Sequence, residues 1–188
     1  MQNPVYIVDV IGDIVQAITP DLLPIIQANE TAALGKTMIQ TIDYQKGHFE
    51  ELITTLSNYD KSPQLRNIKY PLVYLVQDFP EDRGVEVGFY ATVTLNIVVA
   101  HQTDSTYTID DRMNKVFKPV LYPIYYALLQ GMADSDMVNE SSTEKIRHRK
   151  WDRAYWGRQS VGGTDKNKLN DYVDAIDITN LSLTIFNC

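Results

Sequence analysis

The feature that most constrains this chain is a run of residues at positions 89–100, FYATVTLNIVVA. Apolar side chains alternate with threonine, asparagine and tyrosine along most of this run. Because successive side chains of a β-strand point to opposite faces, this period of two predicts a strand with one buried and one polar face. Such a strand is typical of an antiparallel sheet whose second face is wet or meets a polar partner. The side chains expected beneath a helix in the core are Phe89, Val93, Leu95, Ile97 and Val99.

The residues before this strand predict two helices. Apolar side chains recur at helical spacing over about residues 5–18, and Pro20 is expected to end that helix because proline cannot donate a backbone hydrogen bond. Residues 19–47 hold two prolines and two glycines and are expected to be irregular, with a short strand at 37–43 as the candidate element. A second helix is predicted at about 48–58 from four apolar residues that share one face.

The residues on either side of the alternating strand predict a further strand and a long helix. Residues 70–76, YPLVYLV, are β-branched and aromatic, which favours a buried strand. Thr108 and Asp111 form a capping pattern that opens a helix expected to end at Gly131. Two prolines lie inside this helix, so an interruption or a bend of more than about 20° is expected near 117–120.

The last third of the chain combines a long polar segment with a closing strand. Residues 133–172 show no clear periodicity and are expected to form a long loop or arm. In 175–186, AIDITNLSLTIF, the apolar positions change from even to odd numbers, which predicts a β-bulge at 178–181. The order of elements predicts one α+β domain over 1–188, in which an antiparallel β-sheet is packed by helices on one face.

Composition and motifs exclude several classes of function. No apolar run approaches the roughly 18 residues of a membrane span, and no basic residue precedes the apolar N-terminus as it would in a secretory signal. The only cysteine is Cys188, and His48, His101 and His148 are far apart in the sequence, so no metal site is expected. Because no catalytic motif is present either, we expect neither an enzyme nor a bound cofactor.

One segment differs from the rest of the chain in charge and in aromatic content. Residues 145–158, KIRHRKWDRAYWGR, carry six basic residues against one acid, for a formal charge of +5. The whole chain is −7, so the remainder, which is −7 less +5, is −12. Both tryptophans lie in this segment. The candidate interface residues are Arg147, Arg149, Lys150, Trp151, Arg153, Tyr155, Trp156 and Arg158.

Three interpretations of this segment are open at the level of sequence. Tryptophan, tyrosine and arginine are enriched at the centres of protein interfaces, which favours an interaction arm. The same residue types suit stacking on single-stranded nucleic acid beside phosphates. The third interpretation is a charged surface loop whose tryptophans are held in the core. A basic arm on an acidic body suits head-to-tail self-association, because each copy supplies both complementary surfaces.

An interaction arm at 145–158 has further consequences. It should be mobile in the isolated chain, because a segment that folds on binding gains its ordering contacts from the partner. Trp151 or Trp156 should provide most of the affinity, and the basic side chains should meet an acidic surface.

The order of elements and several local phrases resemble a known class of proteins. A helix precedes YPLVYLV, the long strand FYATVTLNIVVAHQTD follows, and DDRMNKVFKPVLYPIYYALL and DYVDAIDITNLSLTIF complete the series. This arrangement resembles the tail-terminator and neck (head–tail connector) proteins of tailed bacteriophages. The phrases KYPLVYLVQDFPE, FKPVLYPIY, WDRAYWG and DYVDAIDITNLSLTI are similar to uncharacterised structural proteins from phages of gut Bacteroidetes. The resemblance covers about residues 45–186.

The resemblance implies a tail-terminator-like fold and a non-enzymatic virion protein at the head–tail junction, assembled in the host cytoplasm. Proteins of this class form rings that join the portal side to the tail and leave a central channel for DNA. The implied partners are further copies of the chain, neighbouring portal, neck or tail proteins, and DNA that passes without sequence-specific contact, with no membrane. The alternative function is a nucleic-acid-binding module that uses residues 145–158.

Overall fold

The fold is built on one six-stranded sheet. The computed structural model describes residues 6–83, 90–140, 142–157 and 169–186. The strands are β1 (Asp43–Gly47), β2 (Leu72–Val76), β3 (Glu81–Arg83), β4 (Tyr90–Gln102), β5 (Arg147–Arg153) and β6 (Val173–Phe186). Their order is β1-β2-β4-β6-β5, and β3 pairs with the first part of β4. The β1–β2 pair is parallel, and the other strand pairs are antiparallel.

Two long helical elements cover one face of this sheet. The helices are α1 (Ile7–Leu34), α2 (Phe49–Asp60), α3 (Pro63–Arg66), α4 (Ile109–Arg112) and α5 (Tyr122–Asp134), and a π-helical segment, Met113–Leu121, joins α4 to α5. The main core lies between the sheet and the layer formed by α1, the π-helical segment and α5. The predicted α+β class is therefore confirmed.

The alternating strand lies at the centre of the core, as its pattern predicts. Strand β4 is hydrogen-bonded to β6 along one edge and to β3 and β2, one after the other, along the other edge. Five of its side chains are at most 1% exposed and face the helical layer, namely Ala91, Val93, Leu95, Ile97 and Val99. Phe89, which we expected on the same face, lies outside the described residues.

The second face of the sheet is only partly covered. The sequence predicted helices on one face, and the structure adds α2 on the other, where Leu52 and Leu56 pack against Tyr74 of β2 and Val98 of β4. This smaller core covers one end of the sheet. The other end, formed by 90–96 of β4, 180–186 of β6 and the outward side of β5, has no helix over it in the described part of the chain. We call this surface the open face.

Helix α1 is longer than the sequence predicted, and this expectation was wrong. The helix continues through Pro20 and Pro24 to its end at Leu34. Leu22 and Ile26 continue its buried stripe beyond the prolines, with exposures of 7% and 0%. Their burial in the main core outweighs the backbone hydrogen bonds that the two prolines remove. The strand expected at 37–43 lies instead at β1, where it pairs with β2.

The helix expected at 108–131 is continuous, but its hydrogen-bonding type changes along its length. Thr108 and Asp111 cap its start through reciprocal side-chain hydrogen bonds, as predicted. The π-helical segment contains Pro119 and interrupts the α-helical pattern in the expected region. The helix continues past Gly131, the expected end, because this glycine serves a close approach between α1 and α5.

The predicted β-bulge is confirmed between β4 and β6. Asn96 of β4 lies opposite both Thr179 and Asn180 of β6. Asn180 has a φ of 53°, and its backbone N–H donates a hydrogen bond to Asn96 Oδ1 at 3.2 Å. The extra residue brings Ile178 and Leu181 to the same buried face, where both are 0% exposed.

Candidate functional site

The segment predicted to be a mobile arm is largely a strand of the sheet. Residues 147–153 form β5, which pairs with β6 from Arg147 opposite Ser182 to Arg153 opposite Ala175. The sequence of β5 lacks the apolar pattern of a buried strand because β5 is an edge strand. Edge strands commonly carry charged side chains that prevent unwanted pairing. We expected this segment to be mobile in the isolated chain. For residues 147–153 this expectation is wrong, because they are paired with β6.

The inward side of β5 is held against α5 by polar and aromatic contacts. His148 Nε2 lies 2.6 Å from the Tyr125 hydroxyl, and Lys150 Nζ lies 4.5 Å from the centroid of the Tyr122 ring. Asp152 binds Lys150 at 2.5 Å and accepts the Tyr122 hydroxyl at 2.8 Å. Burial and the hydrogen bond to Asp152 raise the pKa of Tyr122 to about 12. Lys150 is thus engaged within its own chain.

The outward side of β5 presents positive charge around an exposed tryptophan. Arg147, Arg149, Trp151 and Arg153 all point to the open face, and Trp151 is 50% exposed. Arg147 and Arg149 form no ion pair with any carboxylate of the described residues. Arg153 Nε lies 3.3 Å from Asp177, and its guanidinium lies 5.4 Å from the Trp151 ring centroid. These four side chains are the part of the candidate interface that a partner could contact.

The second tryptophan is partly buried and packs against the smaller core. After β5 the chain turns, and Trp156 packs edge-on against Phe49 of α2 with the ring centroids 5.5 Å apart. The backbone N–H of Trp156 donates to the carbonyl of Val173 at 2.8 Å. The interpretation of a core-held loop is therefore correct for Trp156 and not for Trp151. Arg158, the last candidate interface residue, lies outside the described residues.

Tyr155 is held by a buried ion pair that the sequence did not indicate. Arg112 Nη1 lies 2.5 Å from Asp174 Oδ1, and the side chains are 6% and 0% exposed. The Arg112 guanidinium lies 3.9 Å from the centroid of the Tyr155 ring, and the N–H of Tyr155 donates to Asp174 Oδ1 at 3.2 Å. Both Tyr155 and Trp156 therefore help to fix the turn that follows β5.

The remainder of the open face is polar, with an aromatic pair at one end. Tyr90 and Phe186 pair at that end with ring centroids 5.0 Å apart, and Tyr90 is 55% exposed. Between this pair and β5 the outward side chains are short and polar: Thr92, Thr94, Asn96, Asn180, Ser182 and Thr184. Such a flat face with an aromatic end and a basic edge provides hydrogen-bonding and apolar contacts for a large partner rather than an enclosed site for a small one.

A polar cavity of about 660 Å³ lies between the α1 C-terminus and the loops near β2. Glu30 Oε1 lies 3.0 Å from His101 Nε2, and both side chains are buried. Lys69 is buried and pairs with two carboxylates, Asp60 and Asp171. His101 Nδ1 has no hydrogen-bond partner among the described residues, but it is buried and inaccessible to a ligand. The ion pairs of Glu30 with His101 and of Lys69 with the two aspartates link separate parts of the chain to one another.

Comparisons with known proteins do not indicate a function for this chain. No protein-family model, no curated protein and no solved structure matches the chain. Within the described ranges, none of the helices combines the length and the apolar character that crossing a membrane requires. The same residues contain no cluster of three or more histidine, cysteine, aspartate or glutamate side chains able to hold a metal ion.

Proposed function

We propose that this chain is a structural virion protein, one subunit of a ring at the head–tail junction of a tailed phage. The observation that carries the proposal is the outward side of β5, where Trp151 is half exposed between arginines. Self-association accounts for this surface because the rest of the chain is strongly acidic, so that each copy offers both charges. The resemblance to tail-terminator and neck proteins supplies the position in the virion.

The physical basis of assembly is a contact between two different surfaces of neighbouring copies. A heterologous contact of this kind produces a closed ring when the rotation between neighbours closes, and a filament when it does not. Trp151 would provide most of the affinity by entering an apolar pocket. The arginines would mainly set the encounter rate and the register.

The acidic remainder of the chain suits a ring around DNA. A negative wall repels phosphates, so DNA passes a channel of this kind without binding to it. Neighbouring portal, neck or tail proteins would contact the two flat sides of the ring. No cofactor or catalytic step is part of this proposal.

A second candidate function, nucleic-acid binding, is favoured by one specific observation. Arg147 and Arg149 are free of carboxylate partners in the described structure, and Trp151 beside them exposes a face on which a base could stack. Single-stranded binding proteins combine cations and stacking aromatics in this way. The polar side chains of the open face would then contact the backbone of the strand.

Sedimentation velocity with and without single-stranded DNA distinguishes the two functions. We expect oligomers that grow with protein concentration in the absence of DNA, and that Trp151→Ala weakens without loss of helix content. Tyr6→Ala is the matched control, because Tyr6 is 60% exposed on a different surface. A protein that stays monomeric alone and binds a thymidine oligonucleotide, with affinity falling as salt rises, would instead support nucleic-acid binding.

A further inference from the structure

A groove lies on the side of the molecule opposite to the open face. It is concave and apolar, whereas the open face is flat and largely polar. It runs between α1 and α5, has a volume of about 540 Å³, and is predominantly apolar. Ile14, Ile18 and Leu22 of α1 form part of its floor. The two helices approach closely there, because Gly131 leaves room for Ile18: a Cβ at Gly131 would lie 2.8 Å from Ile18 Cγ2.

The rim of this groove is acidic. Asp13 and Asp21 of α1 and Asp134 of α5 line it, and no lysine or arginine of the described residues does. Asp13 and Asp21 have no ion-pair partner in the described structure, and Asp134 accepts a hydrogen bond only from Gln130, at 2.9 Å. An apolar floor between unpaired carboxylates complements a surface that carries an aromatic ring between cations.

We propose that this groove receives the outward side of β5 from a second copy of the chain. Trp151 of one copy enters the groove of the next, and the flanking arginines meet the aspartates of the rim. This inference rests on the proposed self-assembly and identifies the two surfaces that perform it.

The spacing of the charges on the two surfaces agrees. Asp13 and Asp21 are eight residues apart on α1, which corresponds to about 12 Å along the helix. Arg149 and Arg153 are four residues apart on β5, which corresponds to about 13 Å along the strand. Trp151 lies midway between the two arginines on the same side of the strand. The outward side of β5 thus carries an aromatic ring between two cations, and the distance between the cations matches the distance between Asp13 and Asp21.

The helix has a gap where the ring would enter. Ala17 lies midway between Asp13 and Asp21, four residues from each, so the three residues share one stripe of the helix. Its side chain is small, and it lines the groove beside Ile14 and Ile18. A tryptophan ring placed over Ala17 would cover apolar surface while the neighbouring arginines reach the two carboxylates. Arg153 would exchange its half-exposed contact with Asp177 for a carboxylate of the rim.

The positions of the two surfaces favour a ring. The groove lies on the outer side of the helical layer, and the outward side of β5 lies on the opposite face of the sheet. Each copy therefore binds one neighbour with its helices and another with its sheet. A contact of this type is heterologous and leaves no unused surface once the ring closes.

Charge reversal with complementation tests this pairing. In the groove variant, Asp13→Lys and Asp21→Lys reverse the rim, and in the strand variant, Arg149→Glu and Arg153→Glu reverse the flanking cations. We expect each variant alone to associate at least about tenfold more weakly than wild type, because like charges meet across the interface. An equimolar mixture should recover assembly, since each subunit then faces a complementary neighbour on both sides.

The matched controls change the same charges elsewhere on the surface. Asp110→Lys with Glu144→Lys matches the groove variant, and Lys61→Glu with Lys118→Glu matches the strand variant; both should sediment as wild type does. Recovery of assembly in the mixture also shows that neither variant is misfolded, and far-ultraviolet circular dichroism of each variant provides a second check.

Two results would overturn the pairing while leaving self-assembly intact: reversed variants that assemble as wild type does, or correctly folded variants whose mixture fails to recover. A wild-type protein that remains monomeric at all concentrations would overturn both the pairing and the proposed function.

Discussion

Arg112 and Asp174 form an ion pair in the interior of the fold, with Nη1 2.5 Å from Oδ1. The pair joins α4 to β6, and Tyr155 adds its ring and its N–H to the same cluster. Because Tyr155 lies in the turn directly after β5, this cluster also helps to fix the end of the edge strand that carries Trp151. A group far from the surface thus supports the candidate interface.

Breaking this ion pair should destabilise the fold strongly. Asp174→Ala leaves the Arg112 guanidinium buried without its carboxylate, so we expect the free energy of unfolding to fall by about 3–5 kcal/mol. Urea denaturation followed by circular dichroism measures the change. The double variant Arg112→Met, Asp174→Leu should lose less than Asp174→Ala, because it buries no unpaired charge. A loss below about 1 kcal/mol for Asp174→Ala would show that water or a neighbouring group replaces the partner.

The backbone conformation of Asn180 in the bulge predicts how substitutions at this position change the stability. Its φ of 53° lies in the left-handed region, which β-branched residues adopt only with strain. Asn180→Val should therefore lower the free energy of unfolding by about 1–2 kcal/mol. Asn180→Gly should be tolerated to within about 0.5 kcal/mol, since glycine adopts this conformation freely. Thr179→Val is the control within the same bulge, and equal effects of valine at both positions would contradict the strain argument.

The two faces of β4 should respond differently to truncation. Leu95 is 0% exposed in the main core, so Leu95→Ala should lower the free energy of unfolding by about 2–5 kcal/mol. Thr92 is exposed on the open face of the same strand, and Thr92→Ala should change the stability by less than about 0.5 kcal/mol. Chemical denaturation of both variants measures the contrast. A change below about 1 kcal/mol at Leu95 would place this side chain outside the core.

The buried carboxyl of Glu30 predicts a pH dependence of stability. Burial alone would raise its pKa, but hydrogen bonds from His101 and Thr37, the charge of His101 and the N–H of Met38 outweigh burial and hold the pKa below its ordinary value of 4.5. The ionised carboxyl therefore stabilises the folded chain above pH 4.5, and this contribution is lost as the pH falls through the lower folded pKa.

Glu30→Gln removes this titration. We expect the stability difference between wild type and this variant to be large near neutral pH and to shrink as the pH falls below about 4.5. Thermal or urea denaturation across the acidic range measures it, with Glu144→Gln as an exposed control. A difference that stays constant down to about pH 3 would mean that folding does not change the pKa of this carboxyl.

Elements with strong local patterns could be predicted from the sequence. The alternation in β4, the apolar face of α2 and the cap formed by Thr108 and Asp111 depend on neighbouring residues, and each lies where it was expected. The bulge could be predicted for the same reason, because the apolar phase of β6 changes at Thr179 and the buried face must be kept.

Features that depend on distant residues could not be predicted. The continuation of α1 past Pro20 results from burial of Leu22 and Ile26 in the main core, which outweighs the local effect of proline. The Arg112–Asp174 pair joins residues 62 positions apart, and the Glu30–His101 pair joins residues 71 positions apart. Such partners are brought together by the completed fold, so no local spacing indicates them.

The candidate interface was predicted as one segment, and the structure divides it. Trp151 and three arginines face outward from β5, whereas Lys150, Tyr155 and Trp156 contact other residues of the same chain. The sequence pattern was misleading because the strand contains both kinds of residue in alternation, and its inward positions are polar rather than apolar. The central proposal is that these outward residues form an interface between copies of the chain.

The most direct test of that proposal is the mass of the purified wild-type protein, measured by native mass spectrometry over a range of protein concentrations, with electron microscopy of the largest species. A closed ring predicts that the mass rises to one defined multiple of the 21.4 kDa chain and then stays constant, and that the particles are annular. A protein that remains at the monomer mass at every concentration, or grows without limit into filaments, would contradict the account.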